Sequence, residues 1–228
     1  MHREALAAVA ALNDDVRRAL YEHVRMAGEP VSREAAAEAV GISRKLAAFH
    51  LDKLVDLGLL RSGFATAGPR RVGRVPRVYE PAAVHMCVQI PPRSPELIAD
   101  ILVAAVTAQG DDERADAAAL RIAHERGAAA GSAARTDARA GRVGAERAIA
   151  LAERVLADQG FEPYRAGPAV RLRNCPFHPL AARAPEFVCG LNREYIDGIL
   201  AGIGAGDRAV AELAPRAGEC CVQLRPER

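Results

Sequence analysis

The chain has 228 residues, 31 basic and 29 acidic, with half of its residues hydrophobic, so it is long enough to bury one large core or two small ones and carries no strong net charge. Aromatic residues make up only 4% and Trp is absent, which leaves Ala, Leu, Val and Ile to build the core. No apolar run reaches the roughly 18 residues needed to cross a bilayer, and the N-terminal "MHREALAAVAALNDD" lacks the apolar stretch and cleavage site of a signal peptide. A cytoplasmic, reducing location is therefore expected, where clustered cysteines point to metal or redox chemistry more than to a disulfide frame.

Residues 2–26 read as two helices separated at "NDD". Pro30 then breaks the chain, Ser32 offers an N-cap, and a short Ala-rich helix closes at Gly41. Ser43 caps the next helix, which runs to Gly58, so the order is helix, short turn, helix. On that second helix Ala47, Leu51 and Leu54 form an inward stripe, leaving Lys45, Ala48, Phe49 and Asp52 on the other side. An outward Ala and Phe suit a face that meets thymine methyls and sugars in a major groove, while a helix pair packed into a core would simply bury Phe49.

The segment "RSGFATAGPRRVGRVPRVYEP" follows at once. Its ends have strand character and its Gly/Pro-rich middle reads as a turn. Between Arg61 and Arg77 there are five arginines and no acid, the electrostatic footprint of a surface for phosphates. A hairpin with a basic tip after a helix-turn-helix is a wing.

Residues 10–81 resemble the winged helix-turn-helix of bacterial ArsR-like and MarR-like regulators, through "VGISRKLAAFHLDKLVDLGLL" and "GRVPRVYEP". Val75-Pro76 departs from the family's usual wing end. The resemblance implies that Ser43, Arg44, Lys45, Phe49 and His50 face double-stranded DNA and that Arg70, Arg71 and Arg74 stand at the wing tip.

After a short extended piece, Ser94 and Pro95 signal the start of a helix with apolar Leu97, Ile98, Ile101, Leu102 and Val106, suited to a domain link or a dimer seam. Residues 111–160 read as Ala-rich helix interrupted at "GSAARTDARAGRVG", a small, polar stretch expected to be a loop. His124 reads as a surface or packing residue. "FEPYR" and "AVRLRNC" then read as strands, "PEFVCGLNREYIDGILAGIG" as a helix, and "RAVAELAP" with "ECCVQLRP" as a closing hairpin. The expected fold class is α+β: a winged helix-turn-helix at 1–84, a linking or dimerisation helix at 85–110, and a sensor domain at 111–228. The last of these carries its cysteines in a small β-β-α-β-β part at 161–228.

Four of the five cysteines, Cys175, Cys189, Cys220 and Cys221, fall in the last quarter. A strand end, a helix start and a strand start can meet at one edge of such a domain, and converging thiolates need a positive centre between them. Four readings are open on the residues alone: buried thiols without a ligand, a transient disulfide, with a Cys220–Cys221 bond strained, zinc, for which Cys175 and His178 form the sole close pair, or an iron–sulfur cluster, which tolerates long spacings. Cys87 reads as structural. An enzyme with Cys175 as nucleophile and His178 as base is not expected, because no motif supplies an orienting group or an oxyanion site.

From about residue 90 to 225 the chain resembles Suf-operon repressor-type regulators, through "NCPFHPLA", "PEFVCGLN" followed by "GIL", and "GECCVQL". The resemblance implies a homodimeric repressor on a palindromic operator, controlled by a [4Fe–4S] cluster on Cys175, Cys189 and one of Cys220 and Cys221. The fourth ligand stays open among His178, the second cysteine of the pair, a small thiol and solvent.

Overall fold

The computed structural model describes residues 2–65, 75–83, 87–141 and 143–227, with side chains from residue 4 onward. Contacts divide the chain into two units, Met1–Val88 and Gln89–Arg228.

The first unit opens with α1 (His2–Ala11) and α2 (Asp15–Met26). The two-residue β1 (Val31–Ser32) leads into α3 (Arg33–Val40), α4 (Arg44–Asp56) and a hairpin of β2 (Leu60–Phe64) and β3 (Arg77–Pro81). Local chemistry sets the helix starts. Asp14 accepts from the Arg17 N–H at 2.9 Å, Ser32 from Ala35 at 3.1 Å and Ser43 from Leu46 at 3.2 Å, each satisfying an N–H that the helix itself leaves unpaired. Gly41 ends α3 in the left-handed conformation (φ 72°) that a side chain disfavours, and so turns the chain into α4. β3 is the central strand, between β1 and β2, with Ser62 opposite Tyr79 and Phe64 opposite Arg77. Leu20, Val24, Ala36, Ala47, Leu51, Leu54 and Tyr79 form the buried core of this unit.

The second unit contains α5 (Pro95–Thr107), α6 (Ala115–Asp137) and α7 (Ala145–Asp158), then β4 (Pro163–Ala166), β5 (Ala169–Leu172), the short α8 (Leu180–Arg183), α9 (Pro185–Ile203), β6 (Ala209–Leu213) and β7 (Val222–Pro226). The sheet is antiparallel in the order β4-β5-β7-β6, two hairpins joined where Val170 meets Leu224. Its cysteine-bearing part thus reads β-β-α-α-β-β, with one short helix more than the sequence suggests. The segment read as a link folds with this unit, burying Ile98, Ile101 and Ala105 of α5 in its core. Ser94 does not cap α5 with its side chain; its Oγ donates to the Gln159 carbonyl at 3.2 Å.

The expected interruption at residue 131 is absent, and α6 runs on to Asp137. Two glycine pairs account for this. A Cβ on Gly127 would collide with the Tyr195 carbonyl oxygen, and one on Gly131 with that of Ile199. A Cβ on Gly198 would collide with the His124 carbonyl, and one on Gly202 with that of Ala128. Partner numbers rise together, so α6 and α9 run in the same direction with their backbones in direct contact. Each glycine weakens its helix by about 1 kcal/mol relative to Ala, and the dense packing of two backbones offsets that.

Gly198→Ala is therefore expected to force the helices apart and lower stability by at least about 2 kcal/mol, whereas Gly190→Ala, whose nearest neighbour is the flexible Leu120 side chain at 3.6 Å, leaves stability unchanged or raises it. Thermal denaturation of the two variants followed by circular dichroism checks this; equal melting temperatures would show that the backbone contact is not tight.

Candidate functional site

In the first unit, α4 offers an exposed N-terminal end. Ser43, Arg44, Lys45 and Leu46 are exposed, and Phe49 stands 64% open to solvent. His50 corrects the sequence reading. It is only 8% exposed, on the same stripe as Ala47, Leu51 and Leu54, because residues three and four apart share a helix face. Its ring meets Phe49 edge-on at 5.2 Å, and its Nδ1 is buried without a partner among the described residues.

The hairpin is tied to α4 by one carboxylate. Asp52 accepts from the Tyr79 hydroxyl at 2.9 Å and pairs with the Arg77 guanidinium at 2.9 Å. Burial, and then the Asp52 carboxylate, push the Tyr79 phenol up to about 12, so it remains a donor. Arg77 also donates to the Ser62 hydroxyl at 2.9 Å, and Arg61 pairs with Glu80 at 2.9 Å. The two outer arginines of the basic stretch therefore have acidic partners from outside that stretch. Arg70, Arg71 and Arg74 lie outside the described residues. Phe64, 70% exposed at the end of β2 and opposite Arg77, is a surface residue the sequence reading passed over; its place just before the basic Gly/Pro-rich stretch of the sequence was the available signal.

In the second unit the four C-terminal cysteines come together as two pairs. Cys189 and Cys221 are joined by a disulfide, with Cα atoms 6.3 Å apart. Cys220, buried at 1% exposure, lies beside the half-buried Cys175 and accepts from the Asn192 amide at 3.1 Å. Asn192 lies one helical turn beyond Cys189, which is itself one turn inside α9 rather than at its start. The Asn192 Oδ1 is buried with no partner among the described residues. The sequence reading singled out the cysteines but neither this asparagine nor the 189–221 pairing.

Each sulfur is held by neighbouring structure. The Cys220 N–H donates to the Leu172 carbonyl at 2.9 Å, tying it to the end of β5. Glu219, the preceding residue, takes the buried Arg171 at 2.6 Å and the Tyr164 hydroxyl at 2.6 Å. Arg93 donates to the Cys175 carbonyl at 2.8 Å and to the Asn174 side chain at 2.5 Å. The Cys175 thiol is brought down to about 7, first by the hydrogen bond from Cys220, and further by the Phe177 and His178 N–H groups and the Arg93 charge, against the opposing effect of burial. Cys220 is pushed strongly upward by donating that bond and by its own burial. The His178 ring is exposed. Among the described residues, no three His, Cys, Asp or Glu side chains are placed to hold a metal ion; the disulfide leaves Cys175 and Cys220 as the free thiols at this site.

A family model described as a helix-turn-helix domain matches residues 12–63, from the end of α1 through most of β2. No curated protein matches the chain, and no solved structure does. No described helix is long and apolar enough to cross a membrane.

Two expectations follow. Asp52→Ala removes both partners of β3 on α4 and should lower the stability of the first unit by about 1–2 kcal/mol, with Tyr79→Phe costing less because Asp52 keeps Arg77; denaturant titration measures both. Alkylation of Cys175, followed peptide by peptide, should have its midpoint near pH 7 rather than at the ordinary 9.0, and Cys220→Ala should move it back upward. A midpoint unmoved by Cys220→Ala would remove Cys220 as the cause.

Proposed function

We propose that this chain, whose helix-turn-helix domain supports a DNA-binding transcriptional regulator, is a cytoplasmic repressor that binds a palindromic operator as a homodimer, and that its C-terminal cysteines control the affinity by holding a [4Fe–4S] cluster when the disulfide is reduced. The observation that carries this reading is that cysteines far apart in sequence are brought together two by two, Cys189 with Cys221 and Cys175 beside Cys220, in the unit that follows the helix-turn-helix.

The donors fit such a group in kind. All four are soft thiols, and an orphaned buried asparagine oxygen lies beside them. Cys175, Cys189 and one of Cys220 and Cys221 would hold the cluster, with the fourth position going to the remaining cysteine, His178, a small thiol or solvent. Cys189 and Cys221 can act only after two electrons and two protons open their bond. When bound, a cluster supplies a redox-labile centre whose potential depends on hydrogen bonds to its sulfurs. Asn192, donating to Cys220, is placed to make one of these.

At the DNA end, the α4 N-terminus enters the major groove. Arg44 and Lys45 meet phosphate or base edges, and Phe49 meets thymine methyls. Two heads then read half-sites about one or more helical turns apart. A change of about ten- to a hundredfold in affinity needs only ~1.4–3 kcal/mol of difference between the two states of the centre. No catalytic role is assigned to Cys175 or His178.

The test is a reduced, anaerobic preparation. Iron and acid-labile sulfide in stoichiometric amounts, with a broad visible absorbance lost on Cys175→Ser, are expected; a colourless protein with stoichiometric zinc would replace the cluster by zinc. In the same preparation, selection from a random duplex library should return inverted repeats, and Arg44→Ala or Lys45→Ala should each reduce the salt slope of binding by about 1. Failure to enrich any sequence would overturn the DNA-binding role.

A further inference from the structure

We propose that Phe64 is a DNA-contacting residue of the β2–β3 hairpin and that, with Phe49 of α4, it packs against the deoxyribose and thymine-methyl surface of a duplex. The proposal rests on the DNA-binding reading above and does not involve the cysteines.

The strand ladder places Phe64 on the side of the sheet that faces α4. Directly opposite residues of an antiparallel pair point to the same side, and so do residues two apart along one strand. Phe64 is opposite Arg77 and Ser62 opposite Tyr79, so Leu60, Ser62, Phe64, Arg77 and Tyr79 share one side. Leu60 and Tyr79 are buried there, in one core with Leu51 and Leu54 of α4. Phe64, on that same inner side, is 70% exposed. The strand end is not frayed, since the Ala65 N–H donates to the Pro76 carbonyl at 3.1 Å, one step further out. A phenylalanine is therefore held on the inner side of a paired strand with most of its ring open to solvent.

Phe49 belongs to the same surface. Asp52, one turn further along α4, takes the Arg77 guanidinium and the Tyr79 hydroxyl, each at 2.9 Å. Phe49 stands one turn from Asp52, and Phe64 lies across the ladder from Arg77, so both exposed rings adjoin that ion pair. Exposed apolar surface rimmed by charge marks an interface, and the sign of the charge selects the occupant. Arg44 and Lys45 are exposed at the start of α4, and residues 65–76, between Phe64 and Arg77 in the chain, carry Arg70, Arg71 and Arg74 and no acid. Asp52, the carboxylate beside the rings, is matched by Arg77. A duplex offers phosphates to the basic groups, with sugar and methyl surface between them for the rings. A second copy of this surface would set arginine against arginine, which opposes contact.

The experiment measures binding of the full chain to the inverted-repeat duplex recovered by selection, over a range of salt concentrations. Phe64→Ala should weaken binding about tenfold with the salt slope unchanged, because the ring's burial is lost and no counterion is involved. Its melting temperature should match that of the unmodified chain, the ring being exposed. Hydroxyl-radical footprinting should show a few adjacent sugars in each half-site that the unmodified chain protects and Phe64→Ala leaves open. Phe64→Gln, which keeps the length of the side chain but not its apolar ring, should show the same loss and decides the matter if Phe64→Ala fails to fold. Unchanged affinity on a duplex that the unmodified chain binds overturns this proposal alone; an unmodified chain that binds no duplex overturns the DNA-binding reading with it. A loss of affinity that comes with a lower salt slope would mean that the ring acts by placing the arginines, and a variant that loses self-association while keeping its DNA affinity would assign the ring to a protein contact; either result overturns the proposal.

Discussion

Backbone meets backbone where α6 crosses α9, and the second unit is arranged around that contact. Four glycines allow it, and each would drive a Cβ into a carbonyl oxygen of the facing helix if replaced. Helices this close cannot slide or rotate without collision, so the position of α9 is fixed. Its remaining buried side chains, Ile196, Leu200 and Ile203 among them, belong to the core that also takes Val170, Leu172, Ala211, Val222 and Leu224 from the sheet. Cys189 and Asn192 therefore arrive at one defined place relative to β5 and β7. The cysteine centre depends on helix packing made by residues that have no chemistry of their own.

At that centre the sulfurs are distinguished by their surroundings. Cys220 and Cys221 are chain neighbours, yet one is sealed in the core beside Asn192 and Cys175 while the other is bonded to Cys189. Both stand just before β7, at the turn that leads into it, and their side chains leave the chain toward different partners. The hydrogen bond between Cys175 and Cys220 then makes two similar thiols unequal, one giving up its proton readily and the other holding it.

The first unit is assembled by shorter-range forces. Serine caps start α3 and α4, a left-handed glycine turns between them, and Asp52 carries the link from helix to hairpin. That link uses two of the molecule's own groups, Tyr79 and Arg77, on one carboxylate. It fixes β3 against the helix whose N-terminus is exposed.

The sequence by itself determined what depends on near neighbours: the helix-turn-helix and its caps, the inward stripe of α4, the strands and long helix of the second unit, and the gathering of cysteines near its end. Caps and periodicity act over three or four residues, so they can be read locally. Only the tertiary structure decided the rest. His50 is polar and read as outward, but its helical position puts it on the buried stripe. Gly131 read as a break, because a glycine's cost to its own helix is visible locally and the backbone it packs against, some seventy residues away, is not. The pairing of Cys189 with Cys221 and of Cys175 with Cys220 followed from strand direction and helix placement, which are set by contacts across the whole unit and leave no trace in the spacing of the cysteines.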